Sequence, residues 1–211
     1  MINLKLKTIA SFILPDDIVL DTCSDHAYLA IYLKKEQLCK EVYASDINQK
    51  ALDGAKKNIL AAHLNIKTFL SDGFKNIPIK YINTAVIAGV GTNTVLDIMA
   101  EAPFNINKYI ISSNNQLDVL RKSLYRMGYY IKQEVVVFEH HKYYSIMLVT
   151  KDYQKENRLS LKYGRSNNLD YLNFLSKKEQ EILAKIPPTK VIKRWKHKQN
   201  IRELQKLIKR I

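Results

Sequence analysis

Polar side chains follow five short apolar runs within the first 115 residues of the chain. These polar segments span residues 21–29, 45–48, 71–74, 88–92 and 112–114. If the apolar runs are strands of one parallel sheet, all five segments lie at its carboxyl edge, where folds of this class bind ligands. The sequence therefore predicts a single polar cleft built from loops that are distant in the chain.

Three carboxylates in these segments favour a nucleoside ligand. Asp46 lies 25 residues after Asp21 and follows the second run, where an acid can accept both ribose hydroxyls of a nucleoside. Asp72, beside Gly73, follows the third run and could accept the exocyclic amine of an adenine. The alternative role for Asp46 is to cap the following helix. The three acids together indicate an adenosine-bearing ligand.

The first polar segment has no glycine between Asp21 and Ala27. It therefore lacks the G-x-G-x-x-G turn that brings backbone close to a pyrophosphate, and a dinucleotide is disfavoured. S-adenosylmethionine has no phosphate and tolerates a less glycine-rich loop, so it is the favoured ligand. Its predicted binding residues are Asp21, Ser24, Asp25, Asp46, Ile47, Asp72, Gly73, Gly89 and Gly91.

The apolar pattern supplies the elements that must position these segments. An amphipathic helix that stops at Pro15 is followed by short β-branched runs separated by stretches of helical periodicity. This pattern predicts an α/β fold whose parallel sheet is covered on both faces. The predicted strands span residues 18–20, 41–45, 66–70, 84–88 and 109–111, and the predicted helices span residues 27–38, 48–62, 94–100 and 117–127.

Two further strand-like runs close this pattern. Residues 129–138 and 143–150 are joined by a short polar segment, which predicts an antiparallel hairpin at the end of the sheet. Five parallel βα units closed by a hairpin are the layout of the Rossmann-like class I methyltransferases, a likeness that is an analogy at this point. A nicotinamide-binding Rossmann domain would also alternate, but it would not usually finish with this hairpin.

The chain after residue 150 has a different pattern. Apolar residues, among them Val191 and Trp195, recur at helical spacing on both sides of Pro187-Pro188. The spacing predicts two helices packed as an antiparallel, coiled-coil-like hairpin with an apolar seam. We therefore expect two domains, with residues 1–152 binding the cofactor and residues 153–211 forming a basic helical hairpin.

The positive charge of the chain is concentrated in this tail. The formal net charge is +14, and residues 151–211 hold 17 Lys and Arg against 6 Asp and Glu, whereas residues 1–150 hold 17 against 14. A Lys-rich genome could explain the overall level but not the asymmetry, which indicates an anionic partner, with nucleic acid ahead of a membrane surface. A solvated helix face is the alternative. The candidate contacts are Lys5, Lys7, Lys190, Lys193, Arg194, Lys196, Lys198 and Arg202.

The cysteines and the hydropathy profile limit other functions. Cys23 and Cys39 lack the spacing of a zinc or redox motif, so free thiols and no metal site are expected. No apolar stretch is long enough for a signal peptide or for the roughly 18 residues of a membrane span. We therefore expect a cytoplasmic monomer without membrane contact or an obligate protein partner.

The polar segments carry motifs of a known family. The segments DTCSDHAYL, ASDIN, SDGF, IAGVGT and ISSNN, followed by EHHKYYSIML and KYG, resemble the bacterial tRNA (adenine-N1)-methyltransferases that modify adenine 22 of tRNA. The resemblance implies a class I fold, S-adenosylmethionine as methyl donor, S-adenosylhomocysteine as product and tRNA as substrate. The sequence departs from the family pattern at Cys23 and Thr92, where the family has glycine, and at Ser112-Ser113, where it has Gln-Pro.

The implied reaction is an in-line methyl transfer to adenine N1, for which the enzyme chiefly supplies alignment. Because the base becomes cationic, an acceptor for its N6 amine would stabilise the developing charge. Asp25 and Asn114 are the candidates for that acceptor, and His26 is a candidate proton acceptor. Cofactor contact, helix capping or a loop hydrogen bond are the alternatives for Asp25 and His26.

Adenine N1 lies on the pairing edge of the base, so the enzyme must expose the base before it can methylate it. An aromatic wall is the expected companion of an exposed base. The aromatic residues in or near the predicted loops are Tyr28, Phe74, Tyr143 and Tyr144, and core packing is the alternative for each.

Two other functions remain open on the sequence. A methyltransferase of the same fold could act on another RNA, a protein or a small molecule, and a basic RNA-binding protein could have lost catalysis. The basic tail argues against a small-molecule substrate, because such a run is suited to phosphate contacts. The presence of Asp46 and Asp72 argues against a lost cofactor site.

Overall fold

The computed structural model describes residues 2–77 and 79–211, with only the backbone of Ile79. Its contacts divide the chain into two compact units, of which the first ends at Arg165 and the second spans Ser166–Ile211. The sequence predicted a boundary between a cofactor-binding domain and a basic hairpin between residues 152 and 153, which is earlier in the chain than this structural boundary. Whether the predicted boundary separates cofactor binding from tRNA binding stays a prediction.

The first unit contains a seven-stranded sheet with the order β3-β2-β1-β4-β5-β7-β6. The first five strands are parallel, and β7 lies antiparallel between β5 and β6. The predicted α/β class and the closing hairpin are therefore confirmed. The strands are β1 (Ile18–Thr22), β2 (Glu41–Asp46), β3 (Thr68–Leu70), β4 (Thr84–Ala88), β5 (Lys108–Ser112), β6 (Tyr130–Glu139) and β7 (Lys142–Thr150).

Eight α-helices lie among the residues that the structure describes. The helices are α1 (Leu4–Ala10), α2 (Tyr28–Lys35), α3 (Gln49–Ala61), α4 (Thr92–Ala100), α5 (Leu117–Arg126), α6 (Arg158–Tyr163), α7 (Leu169–Lys185) and α8 (Val191–Ile208). The sequence pattern missed α6 because six residues are too few for helical periodicity, and its capping box between Asn157 and Ser160 was not recognised. None of the described helices is both long and apolar enough to cross a bilayer.

The central strands are buried on both faces, which explains why their sequences do not alternate. Val19 and Val86 pack into a cluster with Ile9 of α1 and Leu33 of α2. The next residues along each strand, such as Leu20 and Ile87, pack into a second cluster with side chains of α4 and α5. Successive side chains of a strand point to opposite faces, so each strand contributes to both clusters.

A buried ion pair fastens the end of the first unit to its sheet. Arg121 of α5 and Glu134 of β6 are 2% and 6% exposed, and Nη2 lies 2.6 Å from Oε1. Glu134 also accepts the backbone N–H of Arg165, while Arg121 donates to the carbonyl of Lys162. Charges removed from water need such partners on every side. The pair therefore holds residues 162–165 against the sheet.

The second unit is a helical hairpin whose seam is partly polar. Leu172 of α7 and Leu204 of α8 are buried and form an apolar part of this seam. However, His197 Nδ1 lies 2.7 Å from Glu179 Oε2, and Arg194 donates to the carbonyl of Leu183 near the end of α7.

The prediction that Val191 and Trp195 lie in the seam is wrong. They are 69% and 63% exposed, because the polar side chains of Arg194 and His197 take the inward positions on that part of α8.

We expect Gly164→Ala to destabilise the protein by about 3 kcal/mol, because it breaks up the buried ion pair. Gly164 has φ +91°, and an added Cβ would lie 2.7 Å from Glu134 Oε2 and 2.8 Å from Arg121 Nη2. Gly128→Ala is the control for a positive φ alone, since Gly128 has φ +80° and faces open space; Gly164, with ψ −179°, adds a backbone conformation that is essentially restricted to glycine. Gly128→Ala should lose only the roughly 1–2 kcal/mol of left-handed backbone strain. Equal losses in urea unfolding would contradict this role of the ion pair.

Candidate active site

An open cavity of about 240 Å³ lies at the carboxyl edge of the sheet within the first unit. It is lined by the loop after β1, by the end of β4 and by α1, which precedes the sheet in sequence. Two of the five predicted segments, 21–29 and 88–92, contribute to this lining, whereas the segments 45–48, 71–74 and 112–114 do not. The lining residues are Lys5, Leu6, Asp21, Cys23, Ser24, Asp25, His26, Tyr28, Leu29, Ala88 and Gly89.

The loop between β1 and α2 has an unusual backbone. Cys23, Asp25 and Ala27 have φ values of 54°, 46° and 57°, in the left-handed region that non-glycine residues rarely adopt. Cys23 is the position where the family pattern has glycine, and the backbone conformation explains that preference. A hydrogen bond ties this loop to β2, because the Ser24 N–H donates to the Ser45 carbonyl over 3.0 Å.

The Asp46 carboxylate at the end of β2 fixes the same loop. Oδ2 accepts the N–H of Asp25 over 3.1 Å, and Oδ1 accepts the N–H of Asn48 over 2.9 Å. The helix cap of α3 is Asn48, whose side chain accepts from Lys50, so the alternative role of Asp46 as that cap is wrong. Asp46 thus joins the ends of two neighbouring strands, and its carboxylate remains half-exposed at the cleft. Ile47 beside it is 67% exposed.

Asp21 is the buried acid of the cavity. It is 5% exposed, and Ser24 Oγ donates to its Oδ2 over 2.7 Å. Burial raises the pKa of this carboxyl from 3.8 to about 7, although the Ser24 hydrogen bond acts in the opposite direction. A carboxyl of this kind is ready to lose its proton when a cation binds next to it.

The third strand leads to an exposed acid. Asp72 pairs with Lys75 over 2.6 Å, and Lys75 also lies 3.6 Å from Glu101. Gly73 has φ +58°, and an added Cβ would lie 3.4 Å from a side-chain carbon of Ile98. The glycine therefore lets the loop bend close to α4 while Asp72 faces solvent.

The turn after β4 is held by the loop after β5. Gly89 has φ +86°, and an added Cβ would meet nothing within 4 Å. Its carbonyl accepts from the Asn114 side-chain amide over 2.7 Å, and its N–H donates to the Ser112 carbonyl over 3.2 Å. Gly91 then caps α4 with extended backbone. These contacts keep the exposed backbone of Gly89 at the cavity wall.

Two departures from the family motifs lie in contact in this region. Thr92 Oγ1 is 3.0 Å from the Ser113 hydroxyl and donates to the Asn115 carbonyl over 2.6 Å. Thr92 replaces a glycine of the family pattern and Ser113 replaces a proline. A serine at 113 adds a hydroxyl partner for the new threonine, so the two changes are compatible.

The candidate catalytic residues Asp25, His26 and Asn114 are exposed; Asp25 and His26 line the cavity, and Asn114 contacts Gly89 at its wall. His26 Nε2 lies 3.5 Å from Asp25 Oδ2, and the His26 ring packs against Tyr28 with 5.3 Å between centroids. Asn114 is exposed on the β5 loop. Because its amide nitrogen holds Gly89, the amide oxygen is the atom that could accept from a substrate.

Lys5 lies in this cavity, a position that the sequence did not indicate. Its N–H and that of Leu4 donate to the Glu139 carboxylate at the hairpin tip, and its ammonium lies 5.1 Å from the Tyr144 ring centroid. Burial lowers the pKa of Lys5, although the Glu139 carboxylate acts in the opposite direction. Lys7, by contrast, is exposed. The sequence did not indicate this position of Lys5, because α1 is distant in the chain from the other lining residues and reaches the cavity only when the protein folds.

The four candidate aromatic residues have different surroundings. Phe74 is 5% exposed and belongs to the core, as its alternative role predicted, so its placement in an aromatic wall is wrong. Tyr143 and Tyr144 are half-buried. Tyr28 is 57% exposed at the start of α2 and lines the cavity. Tyr28 is therefore the best placed of the four to meet a base.

A family model described as a methyltransferase domain matches residues 2–147. A protein of Mycoplasma genitalium named as a putative tRNA methyltransferase is 31% identical over 151 residues, covering 70% of this chain and 69% of that protein. The tRNA (adenine(22)-N1)-methyltransferase of Bacillus subtilis is 26% identical over 149 residues, covering 68% and 63%. The solved M. capricolum TrmK, in complex with S-adenosylhomocysteine, is 31% identical with a TM-score of 0.87, covering 99% and 98%.

The chain belongs to the TrmK family of tRNA methyltransferases. This tRNA methyltransferase keeps an acid at the end of each of the first three strands, in Asp21, Asp46 and Asp72. Within residues 2–77 and 79–211, no group of three or more His, Cys, Asp or Glu side chains is arranged to hold a metal ion.

We expect the stability of the ligand-free methyltransferase to fall as the pH rises from about 4 to about 7. Over this range unfolded Asp21 is ionised, whereas the buried group keeps its proton until its pKa of about 7. The loss attributable to this residue approaches roughly 1.4 kcal/mol per pH unit and ends above the folded pKa. Urea unfolding at several pH values measures it.

Asp21→Asn should remove this part of the pH dependence, because an amide does not titrate. Asp16→Asn, at an exposed position, is the matched control and should leave the slope unchanged. Parallel stability curves for the wild type and Asp21→Asn would contradict the raised pKa.

Proposed function

We propose that this protein transfers the methyl group of S-adenosylmethionine to N1 of adenine 22 in tRNA. The observation that carries the proposal is the cavity at the strand ends, with the buried Asp21, in a chain of this family. The Bacillus subtilis relative is named for the same reaction. The basic tail agrees with an RNA substrate.

The residues at the strand ends fit the chemical groups of S-adenosylmethionine. A protonated Asp21 gains by ionising beside the ammonium of its methionine part, since an opposite charge favours the ionised acid. The half-exposed carboxylate of Asp46 would take the ribose hydroxyls, and Asp72 would take the adenine amine. Open space at Gly89 leaves room for the ligand against the backbone. When bound, S-adenosylmethionine supplies an electrophilic methyl group on a cationic sulfur.

The remaining residues at the mouth of the cavity act on the target base. Asp25 or the Asn114 amide oxygen would accept from the N6 amine and so stabilise the positive charge that develops as N1 gains the methyl group. His26, next to Asp25, would take up a proton if the methylated base releases one from N6. The new N1–C bond replaces the S–C bond, and the neutral thioether leaves.

The tail would position the tRNA through its phosphates. Arg194 differs from its neighbours, because its guanidinium donates to carbonyls at the end of α7 and is half-buried. We therefore leave Arg194 out of the proposed phosphate-binding surface. Exposed Trp195 adds a ring on which a base could stack. The exposed basic residues of this surface are Lys190, Lys193, Lys196, Lys198 and Arg202.

The oligomeric state, the cellular location and the second product of the enzyme are also part of the proposed function. The protein would act as a monomer in the cytoplasm, as the sequence leads us to expect, and S-adenosylhomocysteine would be its second product.

We expect the purified protein to methylate a tRNA transcript at adenine 22 when supplied with S-adenosylmethionine. N1 methylation blocks base pairing, so reverse transcriptase should stop next to position 22. A transcript with guanine in place of adenine 22 is the matched control and should accept no label from the cofactor. Absence of transfer, methylation elsewhere, or label at adenine 22 without a stop would each contradict the proposed reaction.

If the basic residues of α8 bind tRNA phosphates, removing two of them should weaken tRNA binding. Lys193→Ala/Lys196→Ala should weaken tRNA binding about tenfold and flatten its salt dependence, because phosphate contacts release counterions. Cofactor affinity should not change. The control is Lys40→Ala/Lys67→Ala, which removes the same charge from exposed residues at the amino ends of β2 and β3. Equal tRNA affinity for the two double variants would contradict phosphate binding by α8.

A further inference from the structure

A second, larger cavity lies between α1 and α2, and of its lining residues only Tyr28 is placed above beside the target base. Its volume is about 750 Å³, and it is an open groove on the surface of the first unit. Monomeric proteins rarely expose a sizeable apolar and aromatic groove without a partner for it. Its lining includes Leu6, Lys7, Tyr28, Ile31, Tyr32 and Lys35.

The groove continues the active-site cavity. Leu6 and Tyr28 line both spaces, so the groove begins where the cavity ends. The Tyr28 ring packs against His26, which places it between the candidate catalytic residues and the groove. A ligand that reaches out of the cavity over Tyr28 therefore enters the groove directly.

The side chains of the groove suit a chain of nucleotides. Tyr28 and Tyr32 offer aromatic rings on which bases stack, a contact that tolerates any base. Lys7 and Lys35 outnumber the single acid of the lining, Glu36, so the groove favours an anionic occupant. The segment of α2 from Tyr28 to Lys35 is about 10 Å long, which suits a short stretch of unpaired RNA.

We propose that this groove binds the unpaired nucleotides next to the target adenosine, with a base on Tyr28 and phosphates on Lys7 and Lys35. The proposal rests on the proposed function, since it concerns the same tRNA. It gives the enzyme a second RNA contact close to the reacting base. Such a contact holds the displaced strand while the target adenine lies in the cavity, and so offsets the cost of exposing that base.

The phosphate contacts can be tested by salt dependence. Lys7→Ala/Lys35→Ala should lower the slope of log Kd against log salt for tRNA by roughly 1 to 2, because two phosphate contacts are lost. Lys40→Ala/Lys67→Ala removes the same charge at the amino edge and should leave the slope close to that of the wild type. Equal slopes for both double variants would overturn the proposal.

The stacking contact can be tested at Tyr28. Tyr28→Leu should raise the KM for tRNA about tenfold, because the base loses its aromatic partner, whereas Tyr28→Phe should keep a KM near that of the wild type. Cofactor affinity is measured for both variants, since Tyr28 also lines the cavity. Equal KM values for Tyr28→Leu and Tyr28→Phe would overturn the stacking role, because phenylalanine keeps an aromatic ring at this position and leucine does not.

The outcomes separate this proposal from the proposed function. If the wild type methylates adenine 22 and the groove variants match their controls, the groove proposal alone fails. If the wild type neither binds nor methylates tRNA, the proposed function fails and the groove proposal fails with it.

Discussion

Two backbone N–H groups, those of Asp25 and Asn48, converge on the Asp46 carboxylate, and the geometry of the active site depends on this convergence. The loop after β1 places three non-glycine residues in the left-handed region, each of which costs roughly 1 to 3 kcal/mol. Such a backbone persists only when its surroundings hold it. The hydrogen bond from the Asp25 N–H to the Asp46 carboxylate stabilises this loop, and a second one, from the Ser24 N–H to the Ser45 carbonyl, adds to that stabilisation.

Asp21 and Asp25 show how one short loop can carry two kinds of carboxyl group. Asp21 is buried, and burial raises the pKa of its carboxyl, whereas Asp25 is exposed four residues later at the mouth of the cavity. Burial disfavours the charged form, so the first group responds to a cation while the second remains available to a base. The environment of each residue sets its role in the proposed reaction.

Much of this arrangement could be predicted from the sequence, because strand ends and polar segments are local features. The five strand-end segments, the sheet covered on both faces and the closing hairpin were all predicted from runs of neighbouring residues. Lys5 could not be placed in the cavity, since its position depends on Glu139 at the far end of the sheet. The outward direction of Trp195 depends likewise on inward hydrogen bonds of Arg194, which no apolar pattern records.

The buried Arg121–Glu134 pair also determines where the chain can be divided for protein engineering. Glu134 needs the N–H of Arg165, and Arg121 needs the carbonyl of Lys162, so both belong with the sheet. A chimaera that exchanges the helical hairpin of this chain, residues 166–211, for that of a relative should be joined after Arg165. A junction at residue 152 would separate residues 162–165 from the sheet. The buried Glu134 would then lose the N–H of Arg165, and the buried Arg121 would lose the carbonyl of Lys162.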